Sequence, residues 1–155
     1  MQTDRIIVVG IGNILQGDEG AGVHAIRFLK EKQLPTHIDL LEGGTAGFSL
    51  LSIIDSYPFI VFIDATMDGK PPGTLSVVRI SASDQFPRSL GSHGAGIPDL
   101  VQALILGGRR PAIYLILITI TEIRNMVDQV SDAVRTSFPR IYQEILSLSG
   151  PERPG

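Results

Sequence analysis

The segment RIIVVGIGNILQGDEGAGVHAIRFLKEK, residues 5–32, decides the fold. Its first part, Arg5–Ile11, is a short apolar run rich in Ile and Val. Such a run, apolar on both faces, is typical of a strand in a sheet that helices cover on both sides. A glycine-rich turn then leads into Gly20–Lys32, which predicts a helix. The segment therefore predicts the beginning of a βαβ unit.

The same alternation of strands and helices continues along the chain. Further strands and helices are predicted at Ile38–Leu41, Phe48–Ser56, Phe59–Asp64, Thr74–Ile80, Pro98–Leu106 and Ala112–Thr121, of which the second and the fifth are helices. The Thr74–Ile80 strand follows the Gly/Pro loop DGKPPG and is expected at an antiparallel edge. This order predicts an α/β fold, a three-layer α/β/α sandwich around a mostly parallel sheet of about five strands.

The last predicted helix carries a single apolar stripe. Its members recur at spacings of three and four residues: Val127, Val130, Val134, Phe138, Ile141, Ile145 and Leu148. Pro139 interrupts the stripe and predicts a kink or a helix start nearby. We expect a single domain over residues 1–149 and a disordered tail, GPERPG, over residues 150–155.

Composition excludes several classes of protein. The 155 residues fit one domain, with 43% hydrophobic and 19% charged residues and a net charge of −3. The basic residues form no run, so a nucleic-acid partner is not expected. The chain has no cysteine, which excludes disulfide frameworks, zinc ribbons, iron–sulfur clusters and thiol nucleophiles.

The apolar segments give an expectation about location. The apolar part of residues 1–10 is too short for a signal peptide. The longest strongly apolar stretch, Ala112–Ile120, falls short of the ~20 residues that a membrane-spanning helix needs. We therefore expect a cytoplasmic protein without a membrane partner.

The carboxyl ends of the predicted strands collect the candidate site residues. Ligands of open α/β sheets bind beyond this edge. Glu19 follows the first strand, Asp64 ends the third, and His93 lies in the Gly/Ser-rich stretch Gly91–Gly96 before a helix. Two carboxylates and an imidazole suit a divalent metal such as Ni²⁺, Mn²⁺ or Zn²⁺, and spacing does not choose among these ions.

A dinucleotide site is an alternative for the first turn. Gly10 and Gly12 fit the G-x-G-x-x-G fingerprint, but Leu15 stands at its third position. Asp18 and Glu19 would lie in the first helical turn and repel a pyrophosphate there, although the two acids could also simply stabilise the helix by ~0.3–1 kcal/mol each. Glu42, after the second strand, could serve as a ribose-binding acid.

Other polar residues near this edge have plainer interpretations. His24 and His37 are expected at the surface, and Asp68 and Lys70 are expected as solvated loop charges. The Gly43–Gly44 pair either directs backbone N–H groups at a substrate or is a tight strand-to-helix connection.

The sequence resembles the peptidases that mature nickel–iron hydrogenases, over nearly the whole chain before the tail. The resemblance is carried by GIGNIL and GDEGAG in residues 10–22, GGTAG in residues 43–47, IDA in residues 63–65, and SHG followed by IPDL in residues 92–100. It implies a phosphorylase/hydrolase-like α/β/α fold.

The resemblance also implies an activity and a partner. Members of that family are endopeptidases that remove the C-terminal extension of a hydrogenase large-subunit precursor after nickel insertion. They cut after the basic residue of the last cysteine motif of the precursor. The family's metal-contacting residues fall on Glu19, Asp64 and His93. The nickel belongs to the precursor, and no resident organic cofactor is implied.

One segment departs from the family pattern. Thr119–Arg124, TITEIR, stands where the family has Gly-apolar-Gln-Pro, which bears on the choice of substrate, and Glu122 is expected to be exposed.

The sequence is compatible with several mechanisms and functions. The sequence has no G-x-S-x-G elbow and no H-E-x-x-H helix, so the general base among Glu19, Asp64 and His93 is unassigned. An aspartyl-type mechanism without catalytic metal is open, beside a water polarised by the metal. The alternatives to a peptidase are a dinucleotide-binding oxidoreductase and a non-catalytic metal-binding accessory protein.

Overall fold

The computed structural model describes residues 4–81 and 96–150. In these residues a five-stranded sheet lies between two layers of helices. The strands and helices are β1 Ile6–Ile11, α1 Ala21–Lys30, β2 Ile38–Gly44, α2 Leu51–Ile54, β3 Phe59–Thr66, β4 Leu75–Ile80, α3 Ile97–Leu106, β5 Ala112–Thr119 and α4 Asp132–Ser149. Two 3₁₀ turns, Gly17–Gly20 and Gly47–Leu50, precede α1 and α2.

The sheet has the strand order β2-β1-β3-β5-β4. β1 pairs in parallel with β2 and β3, and β3 pairs in parallel with β5. β4 pairs antiparallel with β5 and ends the sheet on that side. The mostly parallel sheet and the antiparallel edge strand are both confirmed.

Both faces of the sheet are buried, as the uninterrupted apolar runs predict. Alternate residues of each strand face opposite helical layers. In β3, Val61 and Ile63 pack into the cluster that contains the apolar residues of α1 and α4. Their neighbours Ile60 and Phe62 pack into the second cluster, with residues of α2 and α3. The three-layer α/β/α sandwich is therefore confirmed.

The second predicted helix is shorter than Phe48–Ser56. The chain forms the 3₁₀ turn Gly47–Leu50 and then only four residues of α-helix, Leu51–Ile54. Leu50 and Ile54 are buried, whereas Phe48 is 55% exposed. Two buried apolar side chains anchor this connection, too few for a longer amphipathic helix.

The final helix begins later than its apolar stripe. α4 starts at Asp132, where Ser131 is the N-cap and its hydroxyl accepts a hydrogen bond from the Val134 amide. Val127 and Val130 therefore precede the helix, and Pro139 lies in its interior, so the expectation of a helix start near Pro139 is wrong. The apolar spacing extends before the first residue of α4 because Val130 is buried in the same core cluster as the apolar residues of that helix.

Strand ends also differ from the prediction. β2 and β3 run on to Gly44 and Thr66, and β5 stops at Thr119. No helix in residues 4–81 and 96–150 is long and apolar enough to cross a bilayer. Except for Gly150, the predicted tail lies outside the described residues.

Candidate active site

The candidate site lies where the connections of the sheet change direction. β1 is joined to β2 through α1 on one face of the sheet, and β2 is joined to β3 through α2 on the other face. The chain leaves β1 toward β2 on one side of the sheet and leaves β3 toward β4 and β5 on the other side, so the connections diverge between the neighbouring strands β1 and β3. In doubly wound sheets, ligands bind beyond the carboxyl ends of the strands at such a switch point. Glu19 follows β1 and Asp64 lies near the end of β3.

Two glycines allow the chain that carries Glu19 to pack against the strand ends. Gly12 has φ +134°, and a Cβ there would lie 2.1 Å from the Glu19 carbonyl oxygen. A Cβ on Gly22, at the start of α1, would lie 2.2 Å from the Ile63 carbonyl oxygen and 2.3 Å from that of Ile11. Only glycine fits such close backbone contacts. Glu19 is consequently held at the edge of the sheet, with only 6% of its surface exposed.

Asp64 is a partly buried carboxylate at the same switch point. The pairing of β1 with β3 ends at Gly10 and Ile63, so Asp64 is the first residue beyond it. The Asp64 Oδ1 accepts a hydrogen bond of 2.8 Å from the Ala65 amide. Burial, and second to it the negative charge of Glu19, raise the pKa of Asp64 well above its ordinary value.

The Asp64 and Glu19 carboxylates therefore share a poorly solvated region. A raised pKa means that the ionised form of Asp64 is disfavoured, and a proton or an external cation would relieve this cost. The sequence prediction that Glu19 and Asp64 come together at the sheet edge agrees with this electrostatic coupling.

His93, the third predicted site residue, lies outside the described residues. Within residues 4–81 and 96–150, no group of three or more His, Asp or Glu side chains could hold a metal ion. The three-residue set Glu19, Asp64 and His93 therefore stays a prediction.

Asp18 has a structural role that the sequence does not reveal. Asp18 and Glu19 lie in the 3₁₀ turn Gly17–Gly20, so their expected place in the first turn of the helix is wrong. Asp18 is 8% exposed, and its carboxylate accepts hydrogen bonds from the Ser131 amide (2.6 Å) and the Ser131 hydroxyl (2.8 Å). The Ser-Asp pair at 131–132 is recognisable as a helix N-cap. The sequence does not indicate that this N-cap binds Asp18, which lies 113 residues away.

The segment between β5 and α4, residues 120–131, borders the same edge. The Gly17 amide donates to the Val127 carbonyl (2.7 Å), and the Val127 amide donates to the Leu15 carbonyl (3.1 Å). The segment that departs from the family pattern thus packs beside the turn that carries Glu19. Glu122 is exposed, as predicted, and binds Arg124 at 2.7 Å.

Glu42 is engaged by basic side chains of α1. Its carboxylate accepts hydrogen bonds from Arg27 Nε (3.2 Å) and Lys30 Nζ (2.7 Å). These cations lower the pKa of Glu42, with the hydrogen bond from Lys30 as the main cause. The dinucleotide interpretation, which needs this acid for a ribose, gains no support from the contacts.

The remaining polar predictions had mixed outcomes. Asp68 and Lys70 are exposed as expected, although Asp68 also accepts a 2.9 Å hydrogen bond from the Thr119 hydroxyl. The expectation for His24 is wrong, because its side chain is only 17% exposed and its Nε2 lies 3.3 Å from the Asp128 carboxylate. His37 is also partly covered, with a ring nitrogen 3.3 Å from the Ser149 carbonyl oxygen.

The Gly43–Gly44 pair forms the end of β2. The Gly44 carbonyl accepts a 3.0 Å hydrogen bond from the Gly12 amide, and Gly44 adopts φ +55°. This contact agrees with the interpretation of a tight connection, because it ties β2 to the turn after β1.

Comparisons with known proteins agree with the predicted resemblance. A family model of hydrogenase maturation proteases matches residues 23–148. The hydrogenase expression/formation protein HupD of Bradyrhizobium diazoefficiens is 37% identical over 123 residues, which cover 76% of this chain and 62% of HupD. The hydrogenase 2 maturation protease of Escherichia coli K12 is 34% identical over 110 residues, which cover 69% of this chain and 67% of that protein.

A solved structure shares the fold. The hydrogenase maturating endopeptidase HybD from E. coli superimposes with a TM-score of 0.78 at 26% identity, covering 92% of this chain and 90% of that one. The chain spans somewhat less than two thirds of the length of HupD. The family match covers most of the described chain, including Asp64 and α4 up to Leu148, and begins after Glu19. The chain therefore belongs to the hydrogenase maturation protease family, a family of hydrolases.

Proposed function

We propose that the protein is an endopeptidase that removes the C-terminal extension of a nickel–iron hydrogenase large-subunit precursor after nickel insertion. One observation carries the proposal beyond family membership: Asp64 is buried beside the charge of Glu19 at the switch point of the sheet. Such a carboxylate pair suits both recognition of a cation and transfer of a proton.

The nickel is part of the substrate in this proposal. Glu19, Asp64 and His93 would contact the nickel that the precursor carries, and groups of the precursor would complete its coordination. Carboxylate and imidazole ligands suit divalent first-row metals. A divalent ion would offset both the burial of Asp64 and the repulsion by Glu19, which together raise the pKa of Asp64. A nickel-loaded precursor should therefore bind better than a nickel-free one, which gives a physical reason for cleavage after metal insertion.

Hydrolysis needs an activated water and a proton for the amine that leaves. The water oxygen adds to the scissile carbonyl carbon, the C–N bond breaks, and the new amine takes up a proton. A carboxyl whose pKa burial and a neighbouring charge raise, such as Asp64, suits a group that accepts and returns this proton. Two routes stay open: activation of the water by the nickel, and an aspartyl-type mechanism in which the carboxylates act alone.

A processing assay tests the function. The purified protein is incubated with a large-subunit precursor, with and without nickel, and the shortening of the precursor is followed on a gel. We expect cleavage of the nickel-loaded precursor only. Equal rates on both forms would refute recognition of nickel. Binding of the precursor without cleavage would favour the non-catalytic accessory protein.

Substitutions test the site residues. Glu19→Gln, Asp64→Asn and His93→Ala are each expected to lower the processing rate about 100-fold or more, in the range typical of acid–base groups. Glu42→Gln is the matched control, because it removes a carboxylate that Arg27 and Lys30 already occupy at the same edge. The control should process at the wild-type rate. The site assignment is wrong if the three variants also do so.

The proposal keeps the partner and the location predicted from the sequence. The hydrogenase precursor is the expected partner, and the cytoplasm is the expected location. A titration with NAD(P) is the simple check on the oxidoreductase alternative, which predicts saturable binding of the nucleotide.

A further inference from the structure

We infer that Asp18 is a positioning residue that holds Glu19 in place through the start of α4. The inference rests on the proposed function of Glu19. Asp18 and Glu19 are consecutive in a four-residue 3₁₀ turn and both are buried. The Asp18 side chain is bound to Ser131, on a different element of the protein.

Backbone contacts and the Asp18 side chain together fix the turn that carries Glu19. Its Glu19 amide reaches the Gln16 carbonyl at 3.3 Å, a long hydrogen bond. Gly17 adopts φ +61°, and a Cβ on Gly20 would lie 2.7 Å from the Ile14 Cα, so glycines stand on both sides of Asp18 and Glu19. Because glycine adopts many backbone conformations, a side-chain contact such as that of Asp18 helps to keep the turn in one geometry.

Asp18 provides that support from one side. Both of its oxygens accept hydrogen bonds, one from the Ser131 amide and the other from the Ser131 hydroxyl. Ser131 is in turn fixed as the N-cap of the 18-residue helix α4. A carboxylate at a helix N-terminus interacts favourably with the backbone N–H groups there. On the other side of the turn, the Glu19 carbonyl packs closely on Gly12.

The start of α4 is itself fastened to the first part of the chain. Val127 forms a parallel bridge with Gln16, one residue before the turn. Asp128 lies 3.3 Å from His24 Nε2 on α1. Asp18, Gln16 and His24 therefore contact one short stretch, residues 127–131, which acts as a common support. Loss of the Asp18 bonds would remove one of the contacts that fix the turn carrying Glu19, while these other contacts preserve the fold.

The first test uses substitutions at Ser131. Glycine serves at a helix N-cap almost as well as serine, so Ser131→Gly should leave α4 intact while it removes the hydroxyl bond to Asp18. Threonine retains that hydroxyl. We expect Ser131→Gly to lower kcat several-fold for the nickel-loaded precursor with little change in KM, and Ser131→Thr to restore the wild-type kcat.

The second test is a double-mutant cycle between Asp18→Ala and Glu19→Gln. Asp18→Ala should lower kcat about tenfold or more, because misplacement of a catalytic group is costly. If Asp18 acts only through Glu19, the double variant should cut no more slowly than Glu19→Gln alone. All rates are measured at a temperature where circular dichroism shows each variant folded.

The matched control is Asp39→Ala. Asp39 is also a partly buried carboxylate with two partners, accepting hydrogen bonds from Arg5 Nε (3.0 Å) and the Tyr57 hydroxyl (2.6 Å). It lies at the beginning of β2, at the opposite edge of the sheet. Asp39→Ala should destabilise the protein without a change in kcat.

Two results would overturn the inference: wild-type kcat in folded Asp18→Ala and Ser131→Gly, or losses from Asp18→Ala and Glu19→Gln that multiply in the double variant. Failure of the proposed function gives a different result, since the wild-type protein would then cut no precursor at all.

Discussion

Asp39 and Asp64 are the same residue type at opposite edges of one sheet, and their environments shift the two pKa values in opposite directions. At the amino edge, the hydrogen bond from Arg5 is the main cause of the lowered pKa of Asp39, with a further contribution from Tyr57. At the carboxyl edge, burial and the charge of Glu19 raise the pKa of Asp64. Among the described residues, no Lys or Arg forms an ion pair with Asp64.

The difference sets a structural carboxylate, Asp39, apart from a residue of the proposed site, Asp64. The amino edge pairs its negative charge within the protein, as a structural carboxylate requires. The carboxyl edge keeps two carboxylates together, which is costly for folding and is typical of functional sites. The comparison predicts that substitutions at the two edges change stability in different ways.

The largest expected effect comes from glycine packing. Gly22→Ala at the carboxyl edge would place a Cβ against the backbone of both Ile11 and Ile63 and should lower the free energy of unfolding by about 3 kcal/mol or more. Gly108→Ala, near the amino edge, would strain only the backbone, which has a φ of +81° there, because no atom lies within 4 Å of the new Cβ. It should cost about 1–2 kcal/mol. Urea denaturation checks both values, and equal losses would contradict the close packing at Gly22.

The next largest expected effect is a pH-dependent gain in the stability of Asp64→Asn over wild type. In the folded protein Asp64 keeps its proton at pH values where the unfolded chain has already lost it. The wild-type free energy of unfolding therefore falls as the pH rises from about 4 toward the raised pKa. Asp64→Asn removes this fall and retains an oxygen for the Ala65 amide. We expect the variant to be more stable than wild type at pH 7, with the gain vanishing at about pH 3. Denaturation at both pH values measures it, and a loss of stability at pH 7 would contradict the raised pKa.

The smallest expected effect is a loss of stability at pH 7 in Asp39→Asn, opposite in sign to the gain in Asp64→Asn. Asp39 has a lowered pKa in the folded protein, so its contribution to stability is present above its ordinary pKa and is lost as the pH falls through the lowered value. The side chain is 36% exposed, and solvent screens the pair. Asp39→Asn should therefore cost about 0.5–1 kcal/mol at pH 7. The difference from wild type should shrink below about pH 4. A variant as stable as wild type at pH 7 would show that Arg5 and Tyr57 do not stabilise the ionised form.

Much of the fold was predictable because the signals are local. The apolar runs at β1, β3 and β5 predict buried parallel strands, and the loop before β4 predicts an antiparallel edge. The position of Asp64 at the end of such a run predicts its place at the sheet edge. Parallel topology alone then brings it near Glu19.

The contacts that stabilise the site were not predictable because they join distant parts of the chain. Asp18 and Ser131 are 113 residues apart, and neither has a neighbouring residue that indicates the other. The start of α4 was misplaced for the same reason, since Val130 follows the helical apolar spacing yet is buried ahead of the helix. His93 stays a prediction.

The bond between Asp18 and Ser131 has a consequence for the order of folding. Synthesis begins at the amino terminus, so β1, Glu19 and Asp64 leave the ribosome long before Ser131. The contact closes a loop of more than a hundred residues, which is slow compared with the formation of a helix or a turn. Glu19 therefore acquires its final geometry only when α4 docks, late in folding. A nascent chain would carry both carboxylates without the arrangement that brings them together in the proposed site.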